Sequence, residues 1–117
     1  MADYFFNIPS MTYQKKRERV YAKIITGENL QCCFVRLEVG EKTYHSHSNE
    51  QMGYVLSGQV EVMIDGQVKQ LTAGDAYHIP SNVPHGFKVL SNDYVEYLEM
   101  FSPPKDERSH ELAEQSQ

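Results

Sequence analysis

GEKTYHSHSNEQMGYVLSG, residues 40–58, carries two histidines and a glutamine at a spacing that suggests a metal site. His45 and His47 are two positions apart, and the carboxamide of Gln51 follows four residues later. Side chains on a β-strand repeat their direction every second residue, so a His-x-His pair on a strand directs both rings to one place. A turn-rich segment further along the chain, GDAYHIPSNVPHGF, supplies a third imidazole, His85. Three imidazoles and one oxygen ligand suit a divalent first-row metal with positions left open for a substrate.

The sequence on both sides of this stretch has the pattern of short β-strands. In LQCCFVRLEV, residues 30–39, apolar side chains alternate with polar ones toward the end of the run. The Asp65-Gly66 pair between VEVMI and VKQL is a strong hairpin signal, because both of its positions tolerate positive φ. Further strand-like runs lie at 19–25, 51–58, 76–80, 85–90 and 94–101. Because no convincing helical stripe precedes residue 105, we predict an all-β antiparallel sandwich or small barrel.

Length and composition narrow the class of protein. A chain of 117 residues with 40% hydrophobic residues is long enough for one domain with its own core. The net charge of −5 argues against nucleic acid as a partner, and the lack of a long apolar run argues against a membrane span. The first residues lack the pattern of a secretory leader, so we expect a cytoplasmic protein. Cys32 and Cys33 are sequence neighbours, which rarely bridge, and we expect both to be reduced.

We expect three parts along the chain: an N-terminal arm over residues 1–20, a barrel over 21–104 and a polar tail over 105–117. The arm mixes aromatic and polar side chains without clean periodicity. The tail, KDERSHELAEQSQ, is predicted to be either disordered or one short exposed helix.

Two motifs in this chain resemble those of the cupin superfamily of small jelly-roll β-barrels. The first motif is matched, in order, by Gly40, His45, His47, Gln51 and Gly58, and the second is matched by Gly74, Pro80 and His85. Asn82 stands where the second motif usually has Gly, and Val89 where it usually has Asn. Asn tolerates positive φ better than most residues, so the turn can keep its geometry. The resemblance implies a single-domain antiparallel jelly-roll β-barrel, the double-stranded β-helix, with His45, His47 and His85 as metal ligands.

Gln51 occupies the position at which the cupin motif usually has Glu, although Glu50 lies next to it. The six-residue interval to Gly58 selects Gln51, and residue 50 has the opposite strand parity from His45 and His47. We therefore predict Gln51 as the fourth ligand. A neutral amide leaves the full charge of a divalent ion to act on an anionic substrate, whereas a carboxylate would cancel half of it.

The pattern of three His and one Gln, with a closing Phe-x-Pro-Pro, resembles the single-domain pectin-degradation proteins of the KdgF type. This resemblance implies conversion of unsaturated uronates into linear keto sugars. The functional Asp, Phe and Arg of that group fall on Glu99, Phe101 and Lys105 here. Glu99 and Lys105 are thus the expected catalytic residues, although Lys lacks the two-pronged carboxylate grip of Arg. Phe101, Tyr54 and His78 are the expected substrate-binding residues, with core packing for Tyr54 and an outward position for His78 as the alternatives.

Two other functions fit the same residues. Three imidazoles with open positions also suit a metal-dependent dioxygenase, although most such cupins keep the Glu that this chain lacks. The barrel is equally suited to a non-catalytic module that binds or senses a small ligand. The donor set does not distinguish nickel, zinc, iron and manganese. Small cupins are commonly homodimers, and the aromatic arm is the kind of segment that covers a partner's sheet edge, so we predict a homodimer.

Overall fold

Ten β-strands form most of the chain in the computed structural model, which describes residues 3–106. A short 3₁₀ helix, Ile8–Ser10, precedes them. The strands are β1 (Gln14–Arg17), β2 (Val20–Thr26), β3 (Gln31–Glu38), β4 (Lys42–His45), β5 (Glu50–Ser57), β6 (Gln59–Ile64), β7 (Gln67–Thr72), β8 (Ala76–Ile79), β9 (His85–Val89) and β10 (Tyr94–Ser102). No helix among the described residues is long and apolar enough to cross a membrane.

The strands form two antiparallel sheets. The six-stranded sheet has the order β1-β2-β3-β10-β5-β8, and the four-stranded sheet has the order β4-β9-β6-β7. From β3 onward the chain crosses between the sheets at every link except the β6–β7 hairpin, so the inner faces of both sheets enclose one core. This confirms the prediction of an all-β jelly-roll barrel.

Strict alternation along the central strands determines which side chains enter the barrel. In β3, Gln31, Cys33, Val35 and Leu37 are buried, while the residues between them are half-buried. β10 follows the same rule over Val95–Phe101, and every second side chain from residue 95 to 101 is buried. The alternation that buries Val95 and Tyr97 therefore also buries Glu99 and Phe101. Both cysteines are free thiols.

The ends of the barrel differ from the expected division of the chain. Residues 14–17, expected in the N-terminal arm, form β1, which pairs with β2 at the edge of the six-stranded sheet. Tyr13 packs on the outer surface of the same sheet, where its hydroxyl donates to Glu96 over 2.8 Å. Lys105, expected as the first residue of a solvated tail, is 9% exposed. Residues 107–117 of that tail lie outside the described part of the chain.

Candidate metal centre

Three histidine rings converge at one end of the barrel. His45 is the last residue of β4 and pairs in register with His85, the first residue of β9. His47 lies after the end of β4, in the link to β5, so its direction does not follow from strand parity as predicted. The Asn82 backbone N–H donates to the His47 carbonyl over 2.8 Å and ties this link to the turn before β9. The ring nitrogens available as ligands all lie within 4.8 Å of one another, so the three rings are positioned to hold one ion.

The hydrogen bonds of the rings define which nitrogen carries a lone pair. His85 Nδ1 lies 2.9 Å from the carbonyl oxygen of Val83, and His47 Nδ1 lies 3.0 Å from that of Asn49. A carbonyl oxygen only accepts, so Nδ1 donates in both rings and Nε2 of each neutral ring has a lone pair. His85 Nε2 and His45 Nδ1 are buried and have no hydrogen-bond partner among the described residues. A buried acceptor without a partner is costly, which is the condition that a bound cation relieves.

Burial keeps these rings in the neutral form that binds metal. Desolvation lowers the pKa of His45 to about 3, with a smaller contribution from the neighbouring His85 and the Lys105 ammonium. Desolvation and the charge of Lys105 lower the pKa of His47 to about 4. The pKa of His85 is also lowered by burial, against the opposing effect of its bond to Val83. All three rings are therefore neutral near pH 7, each with one N–H and one lone pair.

Gln51 directs its amide oxygen toward the histidines. The side chain is 2% exposed, and its Oε1 lies 3.1 Å from His47 Nε2. Its Nε2 lies 3.2 Å from both Glu99 Oε1 and the Tyr77 hydroxyl, and donation to the Glu99 carboxylate identifies it as the NH₂ end. The Gln51 oxygen and the His47 Nε2 lone pair are thus two acceptors that face each other. A cation beside both atoms removes this repulsion, so the donor set fits a divalent metal.

Glu50 and Gln51 are separated by the pleat of β5. Gln51 is buried, whereas the Glu50 side chain is 58% exposed on the outer surface. The structure thus brings Gln51, and not Glu50, to the histidines.

Glu99, Phe101 and Lys105 complete the inner surface beside the histidines. Glu99 is 6% exposed and Phe101 is 2% exposed. The Phe101 ring lies edge-on to the His47 ring, with 5.6 Å between the ring centroids. Lys105 Nζ lies 4.9 Å from the centroid of Phe101 and is close enough to lower the pKa values of the histidines. A carboxylate and an ammonium are therefore linked to the three rings through Gln51 and Phe101.

The segment that carries Lys105 is attached to three other parts of the barrel. The Ser102 hydroxyl donates to the Asn29 carbonyl over 2.8 Å, and the Asn49 side-chain amide donates to the Pro103 carbonyl over 2.6 Å. Gln31, which is 1% exposed, donates through Nε2 to the Lys105 carbonyl over 2.8 Å. These bonds hold residues 102–105 across the end of the barrel where the histidines lie.

Tyr54 and His78 do not join the site, which corrects their expected role in substrate binding. Both lie on the outer face of the six-stranded sheet, because their strand parity is opposite to that of Gln51 and Tyr77. Tyr54 is 44% exposed. His78 Nε2 lies 2.7 Å from Glu50 Oε2 on that outer face.

Tyr77 is a site residue that the sequence analysis did not identify. It pairs in register with Gly53, and Gly53 pairs on its other side with Glu99. A Cβ at residue 53 would lie 2.2 Å from Cζ of Tyr77, so the ring occupies the space that the glycine leaves. Burial and the nearby Glu99 carboxylate raise the pKa of the Tyr77 hydroxyl well above its ordinary value. The alternation of AYHI, with Ile79 fully buried, is the signal that places Tyr77 inside.

Comparison with known proteins identifies the family. A family model described as "Cupin domain" matches residues 33–101. The chain is 32% identical over 96 residues to the pectin degradation protein KdgF of Dickeya dadantii, covering 80% of this chain and 86% of that protein. The structure of KdgF from Halomonas sp. superposes with a TM-score of 0.82 at 30% identity, over 88% of this chain and 97% of the other. An RmlC-like cupin from Shewanella frigidimarina shares the fold, with a TM-score of 0.81 at 24% identity over 90% and 95% of the two chains.

The match spans both histidine motifs and most of the barrel, and it agrees with the sheet topology and with the convergence of His45, His47 and His85. This chain therefore belongs to the cupin family.

Proposed function

We propose that this protein is a metal-dependent, non-redox enzyme that converts unsaturated uronates into linear keto sugars. The observation that carries the proposal is a buried cluster of three neutral imidazoles beside the Gln51 amide and the Phe101 ring. The Glu99 carboxylate is bonded to that amide, and the Lys105 ammonium lies over that ring. A relative named as a pectin degradation protein supports sugar acids as the substrate class.

We infer that His45, His47, His85 and Gln51 hold one divalent ion, which is nickel, zinc, iron or manganese. When bound, the ion supplies a Lewis acid that polarises a substrate oxygen. The Gln51 amide keeps the oxygen ligand neutral, so the ligand set does not offset the attraction for an anionic sugar.

The reaction is an isomerisation, and the formula of the sugar does not change. The ring opens at the hemiacetal, and the released enol gains a proton on carbon and loses a proton from oxygen. Glu99 is the group proposed to move this proton, because it is buried on the inner face of β10 and bonded to Gln51, whose oxygen faces His47. One Glu99 oxygen accepts from Gln51, so the carboxylate is held in place for this transfer.

Lys105 is proposed to bind the carboxylate of the uronate. Its ammonium is brought to the site by the hydrogen-bonded segment 102–105 and lies against the Phe101 ring. A charge-assisted hydrogen bond from Lys105 to the carboxylate orients the sugar, while Phe101 forms an apolar wall. The Lys105 ammonium is a point charge, so it cannot grip the substrate carboxylate with the two parallel N–H donors that an arginine offers.

The test is loss of the conjugated double bond of unsaturated galacturonate, followed by ultraviolet absorbance. Metal-free protein is reloaded with each of the four metals and assayed under nitrogen, because turnover without dioxygen excludes an oxygenase reaction. We expect Glu99→Gln to lower kcat/KM by at least about a hundredfold, which is the usual effect of removing a proton-transfer group. Lys105→Met should lower kcat/KM mainly by raising KM, because the substrate carboxylate loses its charge-assisted hydrogen bond.

His78→Ala is the matched control, because His78 lies on the outer face and should leave kcat/KM unchanged. No turnover on any unsaturated uronate with any of the four metals would contradict the proposal. Saturable binding of the sugar without turnover would instead identify a ligand-binding module.

We also propose that the protein is a homodimer. The described part of the arm leaves Tyr4 81% and Phe5 92% exposed, and such aromatic side chains are typical of protein interfaces. Light scattering at micromolar concentration tests this, and a monomer would contradict it.

A further inference from the structure

The side-chain amide of Gln51 has two ends, and only one of them can bind a metal. The NH₂ end has no lone pair to offer, so the oxygen must face the histidines for Gln51 to act as a ligand. Gln51 Oε1 does face His47 Nε2, at 3.1 Å.

The alternative rotation of this amide is locally attractive without a metal. A turn of the amide by half a revolution would place NH₂ against the lone pair of His47 Nε2 and form an ordinary hydrogen bond. The same turn would place the Gln51 oxygen against Glu99 Oε1 and the Tyr77 hydroxyl, each at 3.2 Å from the present NH₂ position. The Glu99 carboxylate can only accept, so it opposes the rotation that His47 would favour. The Tyr77 hydroxyl can accept or donate, so it bonds either end of the amide and does not itself select one.

We propose that Glu99 and Tyr77 are positioning residues for the Gln51 amide. Glu99 determines that the oxygen faces the histidines, and Tyr77 holds the NH₂ end in place. The inference rests on the metal site of the proposed function, not on the identity of the sugar. It also explains why residue 51 is an amide: the group opposite Glu99 must donate a hydrogen, and a carboxylate has none to donate.

Gly53 makes this arrangement possible. It lies between Tyr77 on β8 and Glu99 on β10 in the register of the sheet, and it has no side chain to separate them. The Tyr77 ring stands over Gly53, where a Cβ would lie 2.3 Å from the hydroxyl oxygen. Both partner groups can therefore reach Gln51, which is two residues away on the same face of β5.

The donor–acceptor pairing predicts how substitutions combine. In Gln51→Glu, two acceptor groups face each other, and the contact that holds residue 51 is lost. Adding Glu99→Gln exchanges the two roles, because an amide at 99 can donate to a carboxylate at 51. The carboxylate at 51 then has its second oxygen available for the metal. The benefit of a negatively charged ligand should therefore appear in the double variant and be suppressed in Gln51→Glu alone.

The experiment measures metal affinity of the full chain by competition with a chromophoric zinc chelator, and needs no turnover. We expect Tyr77→Phe, which keeps the ring and removes the oxygen, to weaken zinc binding by about tenfold, as removal of outer partners of metal ligands does. Tyr54→Phe also removes a tyrosine hydroxyl, but from the outer face of β5, and it should leave the zinc affinity unchanged. The double variant Gln51→Glu/Glu99→Gln should bind zinc at least about tenfold more tightly than Gln51→Glu.

Equal affinity of Tyr77→Phe and wild type would overturn the role of Tyr77. A Glu99→Gln effect that is the same in both residue-51 backgrounds would overturn the pairing, and this cycle decides the matter if Tyr77→Phe does not fold. If the substitutions at 51 and 99 are coupled in zinc affinity but the protein does not turn over a uronate, only the proposed reaction is contradicted. If the protein turns over a uronate but the two substitutions act independently on zinc affinity, only this inference is contradicted.

Discussion

Gly53→Ala adds one methyl group where the Tyr77 ring already lies. The new Cβ would be 2.2 Å from Cζ, 2.3 Å from the hydroxyl oxygen and 2.4 Å from Cε2 of Tyr77. Carbon atoms in contact normally lie about 3.5 to 4.0 Å apart, so the ring must retreat by more than about 1 Å. The Tyr77 ring packs against Phe87, with 5.5 Å between the ring centroids, and Phe87 in turn stacks on Tyr97. The retreat therefore disturbs the core, and overpacking of this kind costs about 1–3 kcal/mol of unfolding free energy.

Thermal unfolding of the metal-free protein measures this cost. For a domain of this size, 1 kcal/mol corresponds to about 4 °C, so the Tm of Gly53→Ala should fall by about 4–12 °C. Gly27→Ala is a suitable control, because Gly27 is exposed and its nearest contact would be the Leu30 carbonyl at 3.2 Å. In a Tyr77→Leu background the same substitution should cost less, because the ring tip is absent. A Tm of Gly53→Ala within about 1 °C of wild type would refute the argument that Tyr77 fills the space over Gly53.

Two further predictions concern buried charge and pH. Arg17→Met removes the partner of Glu41, which is 3% exposed, and should cost about 3–5 kcal/mol of unfolding free energy in urea. Lys15→Met breaks an exposed pair with Glu18 and should leave the unfolding free energy nearly unchanged, so equal costs of the two substitutions would contradict this prediction. The pKa values of His45 and His47 in the folded protein are about 3 and 4, below the ordinary 6.5. As the pH falls below 6.5, the unfolded chain therefore binds more protons at these residues than the folded chain does. In metal-free protein these two rings should therefore add no pH dependence to the unfolding free energy above pH 6.5. Between pH 6.5 and 4 they should lower it, by less than about 1.4 kcal/mol per pH unit for each ring. His45→Asn/His47→Asn should reduce this slope, and an unchanged slope would show that the rings are not its source.

Much of the fold follows from local patterns in the sequence. The hairpin signal at Asp65-Gly66 is correct, and both residues have positive φ, at 51° and 80°. Asn82, in place of the usual Gly, has a φ of 67°, as its tolerance of this region predicts. Alternation also places Glu99 and Phe101 inside β10. These features depend on backbone geometry over a few residues, and such geometry can be predicted from local sequence.

The site depends on tertiary contacts that the sequence does not reveal. Gln51 rather than Glu50 faces the histidines, but parity counted from His45 does not explain this, because β4 ends at His45 and β5 begins at Glu50. The position of Lys105 depends on the side chain of Gln31, which is distant in the chain. Nearness to the motif suggests Tyr54 as a site residue, but its strand parity is opposite to that of Gln51 and indicates the outer face. Parity thus gives direction within one strand, while loops and chain ends require the whole fold.

The two sheets contribute separately to the centre, since His45 and His85 belong to the four-stranded sheet and Gln51 to the six-stranded sheet. An ion bound by all three would join the sheets by coordinate bonds across the core, in addition to the packing between their inner faces. Separation of the sheets would then require release of the ion. At a free concentration a hundred times its Kd, the ion would add about 2.7 kcal/mol to the free energy of unfolding. The supply of metal around the protein would then partly set the resistance of this barrel to opening.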